Sequence, residues 1–378
     1  MTGRWSDYFI KHGDQFEEFW KQFLGLRNRH VIFILGHGFD PRMCQAIRVI
    51  MGTGGDGLRD CIALTYDEGS HSPSYKYKEL IKDNWATLTD LIKESRRGNI
   101  STRKIEIWSP DKRRITSLSA ARAFNSLDQL SRYSDIIIDI SAMPRSIYFP
   151  LIHKILLLID TMKTSGEDVI IPNLHVVVSE DYMLDSRIHE EGIEDTANYL
   201  HGFGAIDLEA NKGMPKVWIP ILGEGKEIQL TKIRDFVKPE EVCPLLPFPS
   251  QNPRRGDDLI REYRRFLFDT IPIEPRNIIY ADEQNPFQVY RQIKKTINHY
   301  NQSLAILGGC KIIISALSSK LLSIGALLSA YEAKGENILV GIANVESNGY
   351  HMDEEESLQN NSSAELFELW LAGNCYEP

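Results

Sequence analysis

Apolar and polar positions along the chain alternate between two periods. Between residues 5 and 24, Trp5, Tyr8, Phe9, His12, Phe16, Phe19, Trp20 and Phe23 recur at three- and four-residue steps, with Asp14, Glu17, Glu18 and Lys21 between them. That spacing predicts an amphipathic helix whose aromatic stripe packs on this chain's own core or on a partner. Short apolar runs follow at residues 31–35, 61–66, 104–108, 135–140 and 174–178, with helical stretches at 75–95 and 119–132. A joint at 202–215 carries glycine and proline, and the runs resume at 217–222, 242–246, 277–280, 311–315 and 338–343. Helical stretches at 257–269, 286–300 and 319–333 separate these, and an acidic segment at 353–363 precedes a short apolar helix at 364–372. Apolar runs without alternation are how buried parallel strands read. Their alternation with helices predicts a parallel sheet covered on both faces.

The expected architecture is α/β, with two tandem parallel-sheet halves of Rossmann-like form related by internal duplication and preceded by the amphipathic helix. The expected divisions are a helical extension (1–29), a first half (30–201), a second half (215–352), and an acidic linker with a C-terminal helix (353–378). The duplication is read from matching strand ends. Ile34-Leu35-Gly36-His37-Gly38 parallels Ile221-Leu222-Gly223-Glu224-Gly225, and Ser141-Ala142 parallels Ser315-Ala316.

These strand ends carry the candidate chemistry. Glycine lets a ligand approach the backbone closely, and a following helix start offers unpaired N–H groups and partial positive charge. Gly36, His37 and Gly38 lead into Asp40 as a cap, Pro41 in the first turn and Arg42 as a charged donor. Ser141, Arg145 and Ser146 form a second anion-binding edge after a strand carrying Asp139. Gly223, Gly225, Ser315, Ser318 and Lys320 are their counterparts in the second half. In open parallel sheets, ligands sit beyond the carboxyl ends of the strands, so each set is expected to share one rim. Asp40 and Asp139 are the acid–base candidates for an enzymatic reading. The third glycine of a dinucleotide fingerprint is missing and no histidine pair has metal spacing, so neither NAD, nor a metal, nor any other cofactor is expected.

Composition narrows the partners. A net charge of −9 argues against general nucleic-acid binding. The five cysteines are scattered, without metal or disulfide spacing. The N-terminal stretch lacks the apolar run of a secretion signal, and no run approaches a bilayer's thickness. A cytoplasmic protein with no membrane association is expected.

Two fused halves with phosphate-sized loops at Gly36–Gly38 and Ser141–Ser146, echoed in the second half, resemble a pseudo-dimer of CARF units. They are similar in this respect to SAVED domains, which sense cyclic oligonucleotides in prokaryotic antiviral systems. The resemblance implies a regulatory sensor that binds a nucleotide-type ligand and signals through its N-terminal or C-terminal helix to a protein partner or a second copy. An enzyme, either a nucleotide hydrolase or an N-glycosidase, is the rival reading. A structural subunit of a larger complex is the third.

Overall fold

A computed structural model describes residues 3–25, 28–69, 71–165, 171–185, 187–204, 213–270, 273–353 and 364–376. The chain divides into two units, each with its own sheet: Asp7–Gly192 with Ser347–Pro378, and Met1–Ser6 with Ile193–Glu346. We call them the first-sheet and second-sheet units.

The first-sheet unit runs β1 (Phe9–His12), α1 (Asp14–Gly25), β2 (Val31–Gly36), α2 (Gln45–Gly52), β3 (Arg59–Tyr66), α3 (Lys78–Ser95) and β4 (Ile100–Ile105). It continues with α4 (Thr116–Ala121), β5 (Asp135–Asp139), α5 (Arg145–Ser165), β6 (Asn173–Glu180), α6 (Tyr182–Asp185) and β7 (Ile188–Ile193). The second-sheet unit contains β8 (Asn198–Tyr199), β9 (Lys216–Ile221), α7 (Glu227–Val237), β10 (Glu241–Val242), β11 (Leu245–Pro247) and α8 (Arg255–Glu262). It then has β12 (Ile279–Ala281), α9 (Pro286–Ser303), β13 (Lys311–Ala316), α10 (Lys320–Gly335) and β14 (Val340–Asn344). The chain then returns to the first-sheet unit with β15 (Ser347–Met352) and β16 (Glu365–Ala372).

Both sheets are doubly wound. The first has the order β1-β16-β6-β5-β2-β3-β4, and the second β12-β11-β9-β13-β14-β8, with β10 also on β9. Leaving aside the two-residue β10, which also runs parallel on β9, the parallel strands of each sheet, counted in chain order, lie 3-2-1-4-5. The order therefore reverses between the first and fourth strands, β2 and β5 in one sheet and β9 and β13 in the other. The chain is thus an α/β protein with two Rossmann-like, mostly parallel sheets. Burial explains why these runs become strands: every residue of β2, β5 and β13 is buried. On one face of the first sheet, Val31, Phe33 and Leu35 pack with Phe16 and Trp20 of α1, Ile47 and Ile50 of α2, and Leu88 and Ile92 of α3. Each such side chain contributes roughly 1.5–3 kcal/mol on burial.

Several expectations are corrected. The N-terminal helix begins only at Asp14, and residues 9–12 form β1, paired antiparallel with β16 through Phe9↔Trp370. Trp5 belongs to the other unit, fully buried between Tyr290 and Tyr331 at ring distances of 5.5 and 6.2 Å. The terminal apolar segment is strand β16, inserted antiparallel between β6 and β1. A mostly apolar eight-residue segment satisfies helix and strand equally by pattern, and here the open sheet edge takes it. The aromatic stripe and the C-terminal segment are therefore consumed inside the chain, which removes both as helical partner surfaces. β4 lies at 100–105 instead of 104–108, an edge strand with mostly polar side chains. Within 119–132 only the end of α4 and one short turn at Leu127–Gln129 are helical. The joint at 205–212 and the acidic segment at 354–363 lie outside the described residues.

The expected pairing of Ser141 with Ser315 also fails in register. The ladder ends at Leu35↔Asp139 in the first sheet, leaving Ser141 two residues beyond it. In the second sheet Ser315 pairs with Pro220, inside the ladder. Ser315 is wholly buried and its hydroxyl accepts from Trp218 Nε1 at 3.0 Å.

Candidate functional site

At the switch point of the first sheet, the loops after β2 and β5 touch. A Cβ on Gly36 would lie 3.0 Å from Ala142 O and 2.8 Å from Met143 Cγ, so only glycine lets the loops close this far. Tyr66, at the end of β3, donates to Ala142 O at 2.9 Å. Asn84 of α3 donates to Gly38 O and Asp40 O at 2.9 and 3.0 Å. His37 stays on the ladder through its N–H to Leu64 O. Its ring packs on Trp85 at 4.9 Å, and burial lowers its pKa, which keeps the imidazole neutral.

Asp40 caps the turn at Pro41–Cys44 by accepting from Arg42 N at 2.9 Å, as its position before Pro41 implies. Arg42, however, is 2% exposed and spends its guanidinium inside the protein. Nε and Nη2 hold Asp40 at 3.0 and 2.8 Å, and Nη1 holds Asp185 at 2.8 Å. Burial opposes its charge, but Asp40 and Asp185 overcome that and raise its pKa. Ser141 is equally committed. Its N–H goes to Asp139 Oδ1 at 2.9 Å, and its hydroxyl accepts from Ser179 N at 2.9 Å. Ser179 ties three loops together, also reaching Arg42 through its carbonyl and Gln45 through its hydroxyl. Arg42, Asp40, Asp139 and Ser141 are thus the frame of the rim.

The start of α5 follows the β5 loop of this frame. Arg145 is half-buried and Ser146 buried, and their N–H groups lie in the first turn, where a helix has no internal acceptors. A two-stranded ribbon of β7 and β15 packs on the turn at Pro73–Tyr77, where Tyr350 N donates to Ser74 Oγ at 2.9 Å. Tyr350 of the ribbon sits within electrostatic reach of Glu190, Glu68 and Arg145. Burial first, then the carboxylates, push the hydroxyls of Tyr350 and Tyr66 up, so both stay neutral donors. Arg145, Glu68 and Glu190 therefore all act on the same buried tyrosine. Tyr66, Asn84, Ser179 and Tyr350 were not singled out from sequence, and Asp185, read with Glu180 and Asp181 as a solvated acidic loop, pairs with Arg42. Tyr66 and Ser179 stand at carboxyl ends of strands, which is the signal that would have found them. Tyr350 is visible only through long-range pairing.

The second sheet repeats the close approach at its own switch point. A Cβ on Gly223 would meet Leu317 O at 2.2 Å. Here the loop's polar groups are paired within the protein. Gly225 N donates to Glu262 Oε1 at 2.8 Å, and Lys226 N donates to Tyr263 Oη at 2.8 Å. Arg255 grips Glu224 in a two-pronged pair at 2.7 and 2.8 Å and also contacts Glu283. Ser319 caps α10 by accepting from Leu322 N at 3.3 Å, with half-buried Ser318 and Lys320 beside it.

No family model matches the chain, and no curated protein matches it. It is similar to a universal stress protein from Archaeoglobus fulgidus at 8% identity, over 82% of this chain and 94% of that one, with a TM-score of 0.24. A functionally unknown protein from Pseudomonas aeruginosa matches at 11% identity, over 82% and 91% of the two chains, with a TM-score of 0.21. The cytoplasmic domain of a prokaryotic cation chloride cotransporter matches at 9%, over 85% and 97%, with a TM-score of 0.23. These likenesses are distant, and the strand order itself carries the architecture. Among the described residues no helix is long and apolar enough to cross a membrane.

Proposed function

We propose that the protein is a sensor that binds a nucleotide-type phosphorylated ligand at the carboxyl rim of the first sheet. The observation that supports this best is the switch point itself. There the glycine-forced contact of the β2 and β5 loops sets the first turn of α5, with Arg145 and Ser146, beside Glu68, Glu190 and Tyr350. A phosphate would sit on the N–H groups of the helix start and on Arg145. The carboxylates would accept ribose hydroxyls, the division of labour seen in dinucleotide sites. Asp40 and Asp139 hold loops in place, which favours binding over hydrolysis. A role in antiviral signalling rests on the likeness to tandem CARF units, and makes cyclic oligoadenylate the second probe after ATP.

Calorimetric titration of both probes tests the reading. Arg145→Ala is expected to weaken binding by roughly ten- to a hundredfold, the value of about 1.5–3 kcal/mol for a charge-assisted contact. Arg145→Lys should recover part of that loss, because lysine keeps the charge without the planar fork. Unchanged affinity in a folded Arg145→Ala protein would move the ligand elsewhere.

A further inference from the structure

Residues 93–122 carry nine lysines and arginines against three carboxylates, a stretch of opposite sign that the chain's net charge of −9 conceals. They form the end of α3, all of β4, the loop after it and α4, and β4 is the outermost strand of the first sheet. Arg96 is exposed and Arg97 half-buried just before the strand. Lys104 lies on the strand with 63% of its side chain exposed, and Lys112 and Arg113 follow it. Arg103 turns inward instead, 4.4 Å from the Phe124 ring and donating to Gln129 Oε1 at 3.0 Å. A strand of this length spans about 17–20 Å, so cations mark both ends and the middle of one sheet edge.

The loop beyond β4 is tied into a closed hairpin by its own hydrogen bonds. Trp108 and Arg114 form an antiparallel bridge, Ile115 N donates to Ile107 O at 2.8 Å, and Ser109 N donates to Arg113 O at 2.8 Å. Ser109 Oγ accepts from Arg113 N at 3.0 Å and donates to Asp111 Oδ1 at 2.5 Å. Lys112 closes the turn at φ 59°, a left-handed conformation that crowds a β-carbon and favours glycine or asparagine. Arg114 donates to Ser347 O at 2.8 Å and lies 5.3 Å from the Trp108 ring. Trp108 nevertheless keeps 42% of its surface exposed, and Arg113 keeps 83% of its side chain exposed. An open indole and two exposed cations are thus held in place by the loop itself. Edge lysines guard a strand against foreign pairing, but that role calls for neither an exposed tryptophan nor cations beyond the strand.

We propose that this edge binds single-stranded nucleic acid, its phosphates following Arg96, Lys104, Lys112 and Arg113 and one base stacking on Trp108. A cationic track beside an aromatic platform fits an unpaired strand, whose bases offer free faces. The ion pairs already on the track, Lys104–Glu106 at 3.0 Å and Arg113–Asp111 at 2.8 Å, lie in solvent, where such pairs are weak and give way to phosphate. The acidic remainder of the chain confines binding to this edge. None of these residues belongs to the first rim, so binding here does not rest on the rim being a ligand site.

Fluorescence anisotropy of a labelled oligouridylate of about twenty nucleotides, titrated with the full chain, tests this. Log affinity should fall with log salt by about 0.7 for each phosphate neutralised. Lys112→Gln with Arg113→Gln should weaken binding roughly tenfold and flatten that slope by about 1.4. Trp108→Ala should weaken binding roughly tenfold at unchanged slope, the mark of stacking as opposed to charge. Lys112→Gly removes one cation while suiting the left-handed turn, so its flatter slope, by about 0.7, arises in a folded protein, as its melting curve will show. Absence of binding at low salt overturns the proposal, as does affinity indifferent to Lys112 and Arg113 or to Trp108. Equal affinity for duplex RNA, or for phosphatidylserine vesicles, would make the edge a general anion surface and overturn it too.

Discussion

The carboxyl rims of the two sheets have the same strand order and the same glycine-forced contact between the loops after their first and fourth strands. They differ in where their polar groups go. In the second sheet, Glu262 and Tyr263 take loop N–H groups, and Arg255 is spent on Glu224 and Glu283. In the first, Arg42 is paired with Asp40 and Asp185, Ser141 with Asp139 and Ser179, and α5 starts four residues after Ser141. Equal topology therefore supports two rims whose loops are tied by different pairs, Glu262, Tyr263 and Arg255 in the second and Arg42, Asp40 and Ser141 in the first. Strand order sets where a site can be; the side chains brought to that point set what it can do.

The comparison breaks most sharply at Arg42. Arg42→Ala leaves Asp40 and Ser179 without their shared partner beneath the first rim and should cost about 3–5 kcal/mol, as removal of one member of a buried ion pair does. Urea denaturation measures this, and a loss below about 1 kcal/mol would show that Arg42 does not frame the rim.

A pH effect of intermediate size belongs to the opposite end of the first sheet. His175 is wholly buried within an aromatic enclosure of Trp20, Phe23 and Trp370, with Nδ1 2.6 Å from Glu368 and Nε2 3.6 Å from Asp135, which Arg29 and Asn173 also hold. Burial disfavours its charge, but Glu368 and Asp135 outweigh it and raise its pKa from 6.5 to about 9. A pKa raised by folding means the protonated ring stabilises the fold. That contribution is complete below pH 6.5 and is lost as pH rises through about 9. Melting temperature should therefore fall between pH 7 and 10, with Trp20 and Trp370 fluorescence reporting on the first-sheet unit. A His175→Gln protein that keeps the same alkaline slope would assign the loss to other groups.

The smallest expected effect sharpens the contrast from the other side. Glu262→Ala frees the Gly225 N–H at an exposed position and should cost only about 0.5–1 kcal/mol. Glu224 and Glu283 remain, so the second rim should still show no ATP affinity of its own by titration. Gain of a second binding event would mean that Glu262 alone keeps that rim closed.

The core strands were legible because burial on both faces makes them near-continuous apolar runs, as in Val31–Gly36 and Lys311–Ala316. The ribbon was not, since Ile188–Ile193 and Ser347–Met352 are short, polar and defined only by each other. The rim could be placed from Gly36 and Ser141, because topology sends loops after strands one and four to the same point. The roles within it could not. Residue type shows that Arg42 carries a fork of donors, but not that Asp40, two residues back, and Asp185, on a distant turn, would occupy it.

Strand β16 has a consequence for how the protein comes to be made. Phe9 pairs with Trp370, and β6 pairs with the same late strand. A ribosome that has released the first five parallel strands has still to emit residues 365–372 before β1 finds any neighbour. Until then the outer edge of β6 is an open row of backbone donors and acceptors, the kind of edge that recruits foreign strands. The second-sheet unit, apart from residues 1–6, is complete in the chain by residue 346 and can fold during that interval. Chaperone dependence should accordingly concentrate on the first sheet, and a chain truncated before residue 365 should aggregate through β6 while its second sheet remains native.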